Sequence, residues 1–312
     1  MPPGIGEDDV KLGLFLPALE GWLGDAWRPR WPEIRALARQ AESMGFDALF
    51  VPDHLVIRQS PYWGIPEGES RGTWEAWTLL TALAEATDRV ALGPFVTASG
   101  FRNPALLAKM AATADEISGG RLILGLGCGA PAPEYDAFGV PADHLVSRFE
   151  EALRVVVPLL RDGHVDFQGR YYTARDCELR PRGPRPGGPP IWIAAFRPRM
   201  VRLAARWADG FVTAWHARPD AVRGPFAELD AACREVGREP SRVGRVAGTI
   251  VSLGDGLRVS REVLRGTTEE LAARLAAFQA AGVQHLVCML HPRDLGGLER
   301  FAPVIEAFRR RG

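Results

Sequence analysis

The chain has 312 residues, 46% of them apolar and 24% charged, the composition of a soluble globular protein with ample material for a core. Its 38 basic and 38 acidic side chains cancel, which argues against a nucleic-acid partner and gives no reason to expect a membrane one. Among the basic residues only Lys11 and Lys109 are lysine, so Schiff-base chemistry has almost no place to sit.

Short apolar runs alternate with helical stretches along the whole chain. The run 10–17 (VKLGLFLP) predicts a first strand, and 31–44 a helix with Ile34, Leu37, Ala38 and Ala41 on one face and Gly45 as its stop. ALFVP (48–52) is a second strand, 75–87 a helix, and VALGPFV (90–96) a third strand. Asn103 before Pro104 is a helix N-cap with proline at the first helical position. The helix it opens runs to Ile117 and stops at Gly119 and Gly120, and LILGLG (122–127) is a fourth strand. Strands at 191–195, 210–214, 248–253 and 285–290 follow, with helices at 147–160, 200–207, 220–236, 268–281 and 298–310.

These strands are apolar throughout rather than alternating, the pattern of a parallel sheet covered on both faces. Eight strand–helix units in about 300 residues point to an α/β fold, a single (β/α)8 TIM barrel over 1–312. A doubly wound sheet is the rival, but the first strand runs into FLPALEGW with no GxGxxG after it. Two segments are long for loops: 57–73, which follows the second strand and so falls on the catalytic face, and 161–190, with the Pro/Gly-dense PRGPRPGGPP.

A barrel places its active site at the C-terminal strand ends. The second strand ends in Asp53-His54, a carboxylate beside an imidazole that can orient a proton donor. The third runs into Phe95, Val96 and Thr97, where Gly93 and Pro94 suggest irregular backbone. The fourth ends GLGCG, with Cys128 and Gly129 where a flat ligand can approach the backbone, or where the chain simply turns. The fifth ends Ala195-Phe196-Arg197 at a helix start that suits an anion, or a solvated arginine. Tyr62 and Trp63 in the long loop, Trp215 after the sixth strand and His291 after the eighth are candidates for a substrate pocket. The six histidines never take metal-ligand spacing, and no metal is expected. Cys128, Cys177, Cys233 and Cys288 form no CxxC pair, and the N-terminal MPPGIGEDDVKLG has no signal pattern, so a cytoplasmic location is expected.

In AESMGFDALFVPDHL (41–55), RNPALLAKMAATADEISGGRLILGLGCG (102–129), EYDAFGVP (134–141), FQGRYY (167–172) and PPIWIAAFRPRMVRLAARWADGF (189–211) the chain resembles the bacterial luciferase-like superfamily of flavin- and deazaflavin-dependent oxidoreductases. The resemblance implies a barrel, a homodimer, a small-molecule substrate and a reduced flavin-type coenzyme at the strand ends. Asp-His after the second strand and the glycine-rich fourth end are similar to members that transfer hydride with the deazaflavin coenzyme F420. The alternative is a monooxygenase using flavin mononucleotide (FMN) and oxygen. The resemblance makes His54 the proton donor or coenzyme orienter, with Asp53 holding it, and places a non-prolyl cis peptide at Phe95–Val96. Ala130 and Arg58 stand where deazaflavin sugar-phosphate dehydrogenases have Glu and Trp, which argues against that activity. Ala130 also leaves room for a reading of another class, a non-catalytic flavin-binding protein.

Overall fold

A computed structural model of the chain describes residues 10–311 apart from 22, 24–26, 61–62, 131–132, 258 and 260. It opens with β1 (Lys11–Phe15), α1 (Trp31–Ser43) and β2 (Ala48–Val51), followed by an antiparallel hairpin of β3 (Val56–Ser60) and β4 (Ile65–Gly72). Next come α2 (Ala76–Ala86), β5 (Ala91–Pro94), the two-residue β6 (Thr97–Ala98), α3 (Pro104–Ile117), β7 (Leu124–Gly127), α4 (Pro133–Ala137) and α5 (Leu145–Arg161). A second hairpin, β8 (His164–Gln168) and β9 (Thr173–Glu178), leads into β10 (Ile191–Ala194), α6 (Pro198–Trp207), β11 (Gly210–Thr213) and α7 (Arg223–Glu235). The chain closes with β12 (Gly244–Ser252), α8 (Thr268–Ala280), β13 (His285–His291) and α9 (Leu295–Arg309).

Nine strands form one sheet in the order β5-β2-β1-β13-β12-β11-β10-β7-β6, every pairing parallel. Its two ends, β5 and β6, are consecutive in the chain, and Leu92 bridges Leu122, so the sheet nearly closes into a barrel. The expected third strand is therefore one stave broken in two, and each long loop contains a hairpin. Close approach at the break depends on glycine. A β-carbon at Gly125 would lie 2.1 Å from the Pro94 carbonyl oxygen, and one at Gly93 2.4 Å from that of Ile123.

The continuous apolar runs have a direct cause. Alternate residues of each strand face opposite ways. On β2, Leu49 and Val51 pack outward among the helices, while Ala48 and Phe50 join Val212, Val246, Val287 and Met289 inside the barrel. The outer layer receives the helix stripes read from the sequence, including Ile34, Leu37, Ala38 and Ala41 of α1. Asn103 caps α3 as expected, accepting from the Ala105 amide at 2.9 Å. Among the described residues, no helix is long and apolar enough to cross a membrane.

Candidate active site

A cavity of about 470 Å³ opens at the C-terminal ends of the strands, a size usual for a small-ligand site. Phe15, Phe95 and Trp215 meet on its wall, with ring centroids 5.2 Å apart for Phe15–Trp215 and 5.5 Å for Phe95–Trp215. Phe50 and Trp192 continue this aromatic packing into the barrel. Two non-prolyl cis peptides border the cavity: Phe95–Val96, where the resemblance places one, and Ala214–Trp215, which was not anticipated.

Asp53, His54, Trp63, Phe95, Val96, Thr97, Cys128, Gly129, Phe196 and Trp215 all reach the cavity wall. Other candidates do not. Ala195 is buried behind the lining Ala194, and Arg197 is an exposed residue at the start of α6. His291 shares the inward parity of Val287 and Met289, but it is buried beside Ser252 of β12 and lies off the wall. Tyr62 lies outside the described residues.

The expectation that Asp53 holds His54 needs correction. His54 Nδ1 is 2.9 Å from Glu134 Oε1, on the short α4. The other oxygen of Glu134 accepts from the backbone amides of Leu55 at 2.8 Å and Val56 at 3.4 Å. Burial works against the Glu134 charge, but His54 and these amides outweigh it and hold the carboxyl below its ordinary range. An ionised Glu134 therefore accepts from Nδ1–H, which leaves Nε2 as the exchangeable nitrogen.

Asp53 is bound to Arg102, which donates Nη1 to Oδ2 at 2.6 Å and Nη2 to Oδ1 at 3.1 Å. Arg102 also donates to Glu75, whose carboxylate caps α2 through the amides of Trp77 and Thr78. Trp77 Nε1 donates to Thr97 Oγ1 at 3.1 Å, and Thr97 in turn bonds Asp53. Burial pushes the Asp53 carboxyl up against the pull of Arg102. Burial opposes the charge on Arg102 as well, but Asp53 and Glu75 together raise its guanidinium above the ordinary value. Consecutive residues of an extended segment diverge, so Asp53 and His54 face different partners. Glu134 opens EYDAFGVP, one of the stretches that carry the family resemblance, but nothing local to it signals a partner 80 residues away.

On the remaining wall, Gly127, Cys128 and Gly129 line the cavity, and burial pushes the Cys128 thiol above its ordinary value. Among the described residues, no group of His, Cys, Asp and Glu side chains could hold a metal ion.

A nearly closed parallel barrel with an apolar cavity and a histidine–carboxylate pair at its strand ends defines an α/β-barrel enzyme site. Residues 10–265 match the model of the luciferase-like monooxygenase family, and the chain belongs to that family of oxidoreductase enzymes. A phthiodiolone/phenolphthiodiolone dimycocerosates ketoreductase of Mycobacterium tuberculosis is 30% identical over 287 residues, spanning 88% of this chain and 74% of that protein. An F420-dependent secondary alcohol dehydrogenase, solved with an F420-acetone adduct, superposes with a TM-score of 0.77 at 21% identity, covering 96% of this chain and 99% of that one. A riboflavin lyase solved with modified FMN superposes at a TM-score of 0.79 and 15% identity, covering 97% and 92%. At such identities the two structural likenesses show the fold alone.

Proposed function

We propose that this enzyme interconverts an apolar ketone and its secondary alcohol, with the deazaflavin F420 as hydride carrier. The observation that carries the reading is the His54–Glu134 pair, 2.9 Å apart at the rim of an aromatic cavity. The site suits a flat ring. Phe95, Val96 and Trp215 supply apolar surface, with Gly127 and Gly129 beside them in the lining. Bound there, the coenzyme would supply or accept the hydride. His54 gives a proton to the substrate oxygen in reduction and takes it back in oxidation. Glu134 accepts from Nδ1–H and so fixes the tautomer and orientation of the ring. Arg102 and Thr97 fix the Asp53 carboxylate in the wall, and the aromatic rings exclude water.

Two relatives support a carbonyl–alcohol substrate by their names: the ketoreductase, and the dehydrogenase with its acetone adduct. The lining, rich in Phe and Trp, favours an apolar substrate over a sugar phosphate. A second reading, oxygenation with FMN, is supported by the FMN-bound riboflavin lyase of the same fold. A homodimer belongs to the proposal on the family resemblance.

The test follows F420 absorbance in the absence of oxygen against secondary alcohols of increasing chain length. Bleaching whose kcat/KM rises with apolar length supports the reading. Unchanged F420 across the series, with oxygenation by reduced FMN, contradicts it.

A further inference from the structure

Tyr135 follows Glu134 in α4 and is 1% exposed. Its ring packs on Phe101 with centroids 5.0 Å apart, and the side chain forms part of the cavity wall. Its hydroxyl is buried and meets no hydrogen-bond partner among the described residues. Buried polar groups are almost always paired, so an orphaned donor on a ligand cavity points to a partner that arrives with the ligand. Burial, reinforced by the neighbouring Glu134, pushes the phenol above its usual value, so the hydroxyl stays protonated and able to donate.

The position of the hydroxyl depends on the last glycine of GLGCG. Gly129 has φ of +76°, and a β-carbon there would lie 1.8 Å from the Tyr135 oxygen. Ala98 and Gly100 flank the same space, a β-carbon at Gly100 lying 3.9 Å from that oxygen and the Ala98 methyl 3.5 Å from the Gly129 position. One backbone position thus meets two demands, a left-handed conformation and room for a phenol.

We propose that the Tyr135 hydroxyl is a neutral hydrogen-bond donor to a carbonyl-type acceptor of the bound ligand. This rests on the reading above, in which both the pyrimidine edge of the coenzyme and the ketone present such an acceptor. Tyr135→Phe is the test, because it keeps the ring on Phe101 and removes only the oxygen. Three quantities are measured on the full chain: the melting temperature without ligand, the Kd for oxidised F420 by fluorescence titration, and the KM for the ketone.

The ligand-free melting temperature is expected to hold or rise, since an unpaired buried group is lost. A Kd about tenfold weaker places the acceptor on the coenzyme, and a KM about tenfold higher at unchanged Kd places it on the substrate, the order of one neutral hydrogen bond. Unchanged Kd and KM overturn the proposal. A lower melting temperature with unchanged Kd and KM also overturns it, by showing a purely structural bond. If the wild-type protein binds FMN and not F420, the coenzyme reading fails on its own. The comparison is then repeated with FMN, whose ring carries the same carbonyl edge, and equal Kd values for wild type and variant overturn the Tyr135 proposal there.

Discussion

His54 and Asp53 are neighbours in the chain, yet each is anchored by a residue distant in sequence: Glu134 for the first and Arg102 for the second. If His54 exchanges a proton with substrate, His54→Ala lowers turnover by about 10²-fold or more in the F420 assay while the fold persists. Glu134→Gln removes the ionised acceptor and sets an amide NH2 against either the His54 ring or the Leu55 and Val56 amides. Turnover is expected to fall about tenfold or more, with Kd for the coenzyme little changed. Arg102 acts differently, because its loss leaves the Asp53 carboxylate buried without its cation. Arg102→Ala is expected to destabilise the protein by about 3–5 kcal/mol, measured by denaturant melts. The strand-end rule made Asp53, His54, Phe95 and Gly129 legible in the sequence. The partners that orient them were not, because ion pairs spanning 49 and 80 residues exist only once the barrel brings its loops together.

At the scale of elements, the broken third stave shows where local pattern stops being informative. VALGPFV is apolar throughout and reads as one strand, but pairing passes from β2 to β7 across it, and the cis peptide lies at the change. Gly93 and Gly125 permit that crossing, each facing a carbonyl oxygen too close for a side chain. Gly125→Ala should therefore cost about 1–3 kcal/mol, the range for overpacking, and lower the melting temperature by several degrees. Gly224, with nothing within 4 Å of its β-position and no positive φ, tolerates alanine by contrast. The hairpin at 57–73 was hidden for another reason. β4 reads IPEGESRG, mostly exposed and rich in strand-breaking residues, and only its pairing with β3 makes it a strand.

At the scale of the molecule, the barrel was legible because each strand is buried on both faces, which writes the same apolar signature eight times. The same burial sets a response to acid. His285 at the start of β13 lies 4.8 Å from the Trp192 ring, and burial, with Lys11 nearby, lowers its pKa to about 4. An unfolded histidine titrates near about 6.5, so the unfolded chain takes up the proton first. Its contribution to stability is complete above about 6.5 and is lost as pH falls toward about 4. Melting temperatures between pH 7.5 and 4.5 should decline, and His285→Gln should flatten that decline. An unchanged slope in the variant would assign the acid loss to other groups.

Oxidoreductase chemistry in this cavity turns on which ring it holds. Equilibrium titration of the purified protein with oxidised F420 and with FMN, under one buffer and followed by fluorescence, measures that choice directly. The account predicts at least tenfold tighter binding of F420, about 1.4 kcal/mol. A tenfold preference for FMN would contradict it.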